Sequence, residues 1–314
     1  MDDAGRAYAI GMFDGVHAGH REMLSMAREA AVDRQPVLPL HVLTFHPHPR
    51  SVLTGSSPGL LCSLEQRIEL LSQAGVAAVE VQAFTTEFAG TEPERFIDDF
   101  LVGKLHARVV VVGANFRFGH RARGDVDLLI SRGHAAGIDV RVCDLRVDHG
   151  QVVSSSRIRD MLATRNVEGA SRLLGRHYNL DGTVVHGARR GRTLGYPTAN
   201  LDVPADRLIP ADGVYAGIAS VQTPRGNEQY GAAISIGTNP QFDPGGTSPR
   251  SVEAYLLDFV GEDALYGQHL QLEFSGFVRG QATFSTVDEL VAQMDIDVER
   301  IRRHLRDGTP LRAG

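Results

Sequence analysis

The chain has 314 residues, 42% of them hydrophobic and 22% charged, which is enough for two domains that each bury a core. A net charge of −6 offers no global attraction to nucleic acid, so anion binding must come from local clusters and no nucleic-acid partner is expected. Two cysteines, Cys62 and Cys143, are too few for a disulfide framework and lack metal-ligand spacing. With no signal-peptide pattern and no apolar run of membrane-spanning length, a cytoplasmic protein without a membrane partner is expected.

The run Tyr8-Ala9-Ile10 predicts a short buried strand, and Arg21 to Ala31 has helical composition. Between them, Gly11-Met12-Phe13-Asp14-Gly15-Val16-His17-Ala18-Gly19-His20 places two histidines three apart where a helix opens. A helix N-terminus offers unpaired N–H groups and partial positive charge, so a triphosphate can sit there with both imidazoles directed at its bridging oxygens. The next predicted strand, Val37 to Phe45, ends in Phe45-His46-Pro47-His48-Pro49, a rigid wall suited to a flat ring and equally readable as a turn with a buried Phe. Capping-box patterns at Ser63 to Gln66 and Thr91 to Glu94 predict helices at Leu64 to Gln73 and Glu92 to Leu101. Strands are predicted at Ala77 to Val81, Val109 to Val112 and Ile138 to Cys143. Such alternation marks a parallel sheet, whose ligands bind beyond the carboxyl ends of its strands. Gly113-Ala114-Asn115-Phe116-Arg117-Phe118-Gly119 follows the fourth strand, and Ser154-Ser155-Ser156-Arg157 opens a helical stretch that runs to Leu174.

After residue 175 the pattern changes to short β runs at Gly182 to His186, Val214 to Val221, Gly231 to Ile236, Val252 to Leu257 and Leu270 to Phe277, which suggest a small antiparallel barrel. A third capping box at Thr286 to Glu289 starts a closing helix, whose apolar stripe is Leu290, Val291, Met294, Val298, Ile301 and Leu305. Ahead of it, the loop from His186 through Gly187, Arg189, Arg190, Arg192 and Gly195 leads to a turn Tyr196-Pro197-Thr198-Ala199-Asn200. Its glycines let backbone approach phosphate, and Thr198 and Asn200 are hard oxygen ligands suited to Mg²⁺. Glu253 interrupts an apolar alternating strand. It reads either as an outward-facing surface carboxylate or, if aimed into the barrel mouth, as a base for a hydroxyl nucleophile.

In order and wording these segments resemble bacterial bifunctional riboflavin kinase/FAD synthetases, whose first half is a HIGH-type nucleotidyltransferase. The resemblance spans residues 8 to about 305. It implies a Rossmann-like parallel-sheet FMN adenylyltransferase domain over 1–174 and an antiparallel β-barrel riboflavin kinase domain with a C-terminal helix over 175–314. In the first, Gly11, Phe13, Asp14, His17, Gly19, His20, Asn115, Ser155, Ser156 and Arg157 would hold ATP, with His17 and His20 catalytic, while Phe45, His46, Pro47 and Phe118 would frame the flavin. In the second, Gly187, Arg192, Gly195, Pro197, Thr198 and Asn200 would bind ATP, with Thr198 and Asn200 on Mg²⁺. Glu253 would be the base and would lie with Arg279 beside the flavin, under a flap formed by Gly237 to Pro249. Riboflavin, FMN, FAD and ATP would be the substrates and products. Relatives often carry Glu where Gln281 stands, and Gly-Thr-x-Pro-Thr-Phe-Gly where this chain has Gly237 to Asp243. A single-function enzyme with one silent half, a non-catalytic flavin-binding regulator and a homo-oligomer remain open at this point.

Overall fold

A computed structural model describes residues 5–187, 195–223, 226–237, 250–308 and 311. The chain divides into two compact units, Met1–Ser155 and Ser156–Gly314.

The first unit is built on a five-stranded sheet in the order β3-β2-β1-β4-β5, with every neighbouring pair parallel. The strands are β1 Arg6–Ile10, β2 Leu40–His46, β3 Ala78–Ala83, β4 Ala107–Gly113 and β5 Asp139–Cys143. Central β1 and β4 are buried over Ala7–Ile10 and Val109–Val112, runs without a charged residue, as expected where both faces of a parallel sheet are covered. One core face gathers Ala7, Ala9, Val42, Val109 and Val111 against helix α1, Ala18–Val32. The other gathers Tyr8, Ile10, Leu43, Val110 and Val112 with a series of phenylalanines. Helix α2, Leu64–Gln73, starts where expected. Ser63 Oγ accepts from Gln66 N–H at 3.1 Å, and Gln66 Oε1 accepts from Ser63 N–H at 3.2 Å.

The expected cap at Thr91 does not form. Helical backbone begins at Pro93 after Glu92, without a side-chain cap, and widens into a π-helical stretch over Phe96–Lys104. The Thr91 carbonyl is instead used by His120 N–H at 2.7 Å. Strand order reverses between β1 and β4, so the turn at 11–17 and the turn after Gly113 flank the switch point.

In the second unit the helical stretch expected from Ser156 to Leu174 is broken into α3, Ser155–Ala163, and α4, Val167–Leu174, by Arg165 at φ 66. These helices pack with the second unit: Ala211 N–H donates to Leu162 O at 3.0 Å, and Glu168 Oε1 accepts from Phe277 N–H at 3.1 Å. A closed barrel follows, in the order β10-β11-β12-β9-β8-β13, with a two-stranded ribbon, β6 Val147–Asp148 and β7 Gln151–Val152, preceding it in the first unit. The barrel strands are β8 Tyr178–Val185, β9 Ala199–Asp202, β10 Gly213–Thr223, β11 Gly226–Gly237, β12 Ser251–Leu256 and β13 His269–Arg279.

β9 was not legible as a strand. Its residues lie in the segment read as a Pro-Thr-Ala-Asn turn, and only pairing with β12 and β8 makes it one. Helix α5, Val287–Asp307, is capped by Thr286 Oγ1, which accepts from Glu289 N–H at 3.2 Å. The reciprocal bond goes to Ser285 N–H rather than to Thr286. Ile301, Val298 and Leu305 of the apolar stripe pack on the barrel with Val214, Ala216 and Val278.

Candidate active sites

In the first unit β1 runs directly into the histidine turn. Val16 N–H closes on Phe13 O at 3.1 Å, with Phe13 at φ 51 and Val16 at φ 42, the left-handed region that a β-branched residue strongly avoids. Four anchors hold this strained turn. Asp14 is 1% exposed, and its Oδ1 accepts from Leu61 N–H at 2.9 Å and Cys62 N–H at 3.3 Å. Gly15 N–H donates to Cys62 Sγ at 3.1 Å, Ser155 Oγ donates to Asp14 O at 2.9 Å, and Thr44 Oγ1 donates to Met12 O at 3.0 Å. Asp14, expected as an ATP ligand, therefore has one carboxylate oxygen committed to the backbone of 61–62. Phe13, expected in the same role, is fully buried in the core.

His17 is the N-cap of α1. Its Nδ1 accepts from His20 N–H at 3.3 Å, which leaves the ring proton on Nε2. The His17 and His20 rings stack, with centroids 3.6 Å apart and planes within 13°. A Cβ on Gly19 would lie 3.3 Å from the His17 ring, so the small residue leaves that stack room. His20 stays neutral well below its ordinary 6.5, first because burial penalises the charged ring and then because His17, Arg67 and Arg21 are near. Asn115 is exposed in the turn after β4. Ser156 is exposed and Arg157 half-buried in the first turn of α3.

The residues expected around the flavin divide in two. His46 is half-buried and Pro47 exposed at the end of β2, whereas Phe45 and Phe118 are 9% and 7% exposed. Both join a phenylalanine cluster: Phe45 lies 6.0 Å from Phe84 and 6.1 Å from Phe88, and Phe118 lies 5.2 Å from Phe96 and 5.6 Å from Phe116. Phe84, Phe88, Phe96 and Phe100 escaped sequence reasoning. Their only signal was the i, i+4 spacing of two pairs, Phe84 with Phe88 and Phe96 with Phe100. Arg67, fully buried in α2, was also missed, although a cation on the apolar stripe next to Leu71 was visible.

In the second unit a strand register assembles the site. Asn200 of β9 is paired with Glu253 of β12. Thr198 Oγ1 donates to Glu253 Oε2 at 3.1 Å and Ser251 Oγ donates to Oε1 at 3.2 Å. Glu253 does not share the face of β12 that carries buried Val252, Ala254 and Leu256; it lies with Ser251 and Tyr255 on the opposite one. The alternation of the strand gives the interior to the apolar residues and leaves Glu253 on the face that carries Ser251. A Cβ on Gly187 would lie 2.2 to 2.6 Å from the Asn200 amide, so only glycine lets this loop approach so closely. Gly195 is at φ 83.

Tyr196 OH donates to Asp295 Oδ1 of α5, and the phenol is pushed up to about 12, mainly by burial and then by that carboxylate. Arg279 is engaged by α5: its Nε donates to Asp297 Oδ2 at 2.8 Å. Gln281 Nε2 donates to Ile236 O at 2.8 Å and Ser235 Oγ at 3.2 Å, bonds that a glutamate could not make. Arg189, Arg190, Arg192 and residues 238–249 of the expected flap lie outside the described residues. Among the described residues no group of three or more His, Cys, Asp or Glu is placed to hold a metal, and no helix is long and apolar enough to cross a membrane.

A parallel sheet whose switch point carries a histidine-capped helix, followed by a closed antiparallel barrel with a Thr-Asn-Glu cluster, defines a two-domain protein with a HIGH-type nucleotidyltransferase unit and a riboflavin kinase barrel. The sequence pattern of the FAD synthetase family matches residues 1–157, and that of the riboflavin kinase family residues 174–305. The chain belongs to the family of bifunctional riboflavin kinase/FMN adenylyltransferases. The family member of Listeria monocytogenes is 36% identical over 303 residues, covering 96% of this chain and 92% of its own. That of Escherichia coli K12 is 36% identical over 299 residues, covering 93% and 90%. A crystal structure described as a macrolide-efflux protein from Streptococcus pneumoniae superposes with a TM-score of 0.82 at 31% identity, covering 95% of this chain and 94% of that one.

Proposed function

We propose that this chain makes FMN from riboflavin and FAD from FMN, using ATP for each step and acting in the cytoplasm on small molecules alone. The observation that carries this reading is the presence in one chain of two separately assembled sites, the His17/His20 stack at the switch point and the Thr198, Asn200 and Glu253 cluster. By motif, adenylyl transfer is assigned to 1–174 and phosphorylation to 175–314, with α3 and α4 packing on the barrel side.

For adenylyl transfer, an oxygen of the FMN phosphate attacks the α-phosphorus of ATP in line. The new P–O bond forms as the bond to the β-phosphate bridging oxygen breaks, and pyrophosphate leaves. His17 can donate to that developing charge only through Nε2–H, because Nδ1 acts as the acceptor of the cap. Neutral His20 donates through a ring N–H. By motif Ser156 and Arg157 are assigned to the ATP phosphates, and Ser155 serves by holding the Asp14 carbonyl. Asn115 at the opposite lip is assigned to the nucleotide, and His46 and Pro47 to the flavin edge. Phe45 and Phe118 support that wall from within the cluster.

For phosphorylation, Glu253 takes the proton of the riboflavin 5′-hydroxyl as the oxygen attacks the γ-phosphorus and ADP leaves. The Thr198 hydroxyl gives its proton to Glu253, so its lone pairs and the Asn200 amide oxygen suit a hard cation, and the close Gly187 backbone completes the cradle. Mg²⁺ bound there would neutralise charge on the ATP phosphates. Pro197 fixes the approach to Thr198, and Arg279 is assigned to orienting the flavin through its Asp297 anchor.

The test is to incubate the protein with Mg²⁺ and ATP plus either riboflavin or FMN, and to resolve the flavins by chromatography over time. FMN and then FAD from riboflavin is the expected course. Riboflavin stopping at FMN, with supplied FMN untouched, means a silent first unit, and FAD from FMN alone means a silent second. No product in either tube favours a flavin-binding regulator.

A further inference from the structure

Among the described residues Arg67 and Arg207 are buried and Arg279 is half-buried, and the last two have carboxylates. Arg207 pairs with Asp181 at 2.5 Å and Arg279 with Asp297 at 2.8 Å. Arg67 is 1% exposed, yet it has no carboxylate partner among the described residues. Its Nη1 donates to Thr44 Oγ1 at 3.2 Å and Phe45 O at 3.3 Å, and its buried Nε has no hydrogen-bond partner. Removing an isolated cation from water is among the most costly things a fold can do, and carbonyl and hydroxyl acceptors offset only part of that cost.

The location accounts for the cation. Thr44 and Phe45 form the carboxyl edge of β2, and Thr44 Oγ1 passes the contact on to Met12 O in the turn that follows β1. Arg67 thus ties together the two strand ends at which the histidine turn begins. We propose that Arg67 is an unassigned positioning residue of the adenylyl-transfer site: it locks the ends of β1 and β2 together, and its uncompensated charge is matched by the phosphates of the bound substrates.

This inference rests on the adenylyltransferase reading of the first unit. It also explains the state of His20. The charged and titratable groups that act on that ring are His17 from the turn, Arg21 from α1 and Arg67 from α2, and all three oppose its protonation alongside burial. Arg67 therefore contributes twice, as a fixed field on polyphosphate and as a guard on the neutral, donating form of His20.

The experiment compares wild type with Arg67→Met and Arg67→Lys in FMN-to-FAD conversion across pH, with riboflavin phosphorylation by the same preparations as the control for intact protein. Arg67→Met is expected to lose tenfold or more in kcat/KM for FAD formation, with a raised KM for FMN and the acid limb of the pH profile moved upward. Arg67→Lys should return to within threefold with the limb in its wild-type place, and FMN formation should be unchanged throughout. Wild-type kinetics in Arg67→Met overturn the proposal. So do equal losses in both variants with an unmoved acid limb, which are the mark of a merely structural arginine. If Arg67→Met does not fold, Arg67→Lys decides: a tenfold loss there overturns the proposal, and recovery within threefold supports it. NMR titration of the His20 ring in wild type and Arg67→Met reads the same coupling without turnover. If wild type makes no FAD, the functional reading falls, and an identical His20 titration in the two proteins separately overturns this one.

Discussion

The two candidate sites of this chain are held in place in different ways. In the first unit the key residues sit on a turn with two non-glycine residues in left-handed conformation, and the turn is held by side chains reaching in from elsewhere, namely Asp14 with Leu61 and Cys62, Thr44 with Met12, and Ser155 with Asp14. In the second, Asn200 and Glu253 face each other because two antiparallel strands put them in register, and the ladder itself supplies the precision. A turn of the first kind depends on its anchors. A register of the second kind tolerates loss of a neighbour but depends on the functional side chains themselves.

That contrast can be broken outright by exchanging the activities. Asn200→Ala is expected to lower FMN formation at least a hundredfold while FAD formation from supplied FMN stays within twofold, and His20→Ala to do the reverse, both read by flavin chromatography. Failure of the separation would refute two independent sites. Next in size, Glu253→Gln keeps the shape and the contact with Thr198 but removes the base. FMN formation should fall by roughly 10² to 10⁴ in kcat, as for loss of a general base, with the FAD step unaffected.

The difference in construction is sharpened at an anchor of the turn, the Asp14 carboxylate. Asp14→Ala leaves Leu61 and Cys62 N–H groups buried without their acceptor, at about 1 to 3 kcal/mol. Denaturant unfolding of the first unit should shift by that order, and FAD formation should fall about tenfold while the kinase rate is untouched.

The smallest effect is one of pH. Unfolded His20 takes up a proton near 6.5, whereas the folded ring resists it, so stability from this group is complete above that value and declines as pH falls below it. His41 acts in the same direction. Chemical denaturation between pH 7 and 5 should show a gentler slope in His20→Ala than in wild type, and equal slopes would refute the assignment.

Much of this was legible along the chain. Hydrophobic runs bounded by turn residues located all five strands of the sheet, the Ser63 to Gln66 box located the start of α2, and the histidine segment located the start of α1, because these signals depend on neighbours within a few residues. Local signals failed where a distant partner decides. Thr91 reads as a cap, yet the helix starts after Glu92 and the Thr91 carbonyl serves His120 N–H, and the Pro-Thr-Ala-Asn segment reads as a turn until β12 and β8 make Ala199 and Asn200 a strand.

By itself, then, the sequence determined the two-unit plan, the order of the elements and the chemistry-bearing residues at 11–20, 198–200 and 253, since periodicity, turn chemistry and motif wording are properties of adjacent residues. Only the tertiary structure decided where each of those residues sits and what it touches. It turned Asp14 and Phe13 inward, put Glu253 on the outer face of β12, and buried Arg67 against Thr44 and Phe45 with no carboxylate partner among the described residues. The physical reason is that burial, register and counter-charge belong to pairs of residues tens of positions apart, and no short-range pattern encodes which member of the pair will arrive.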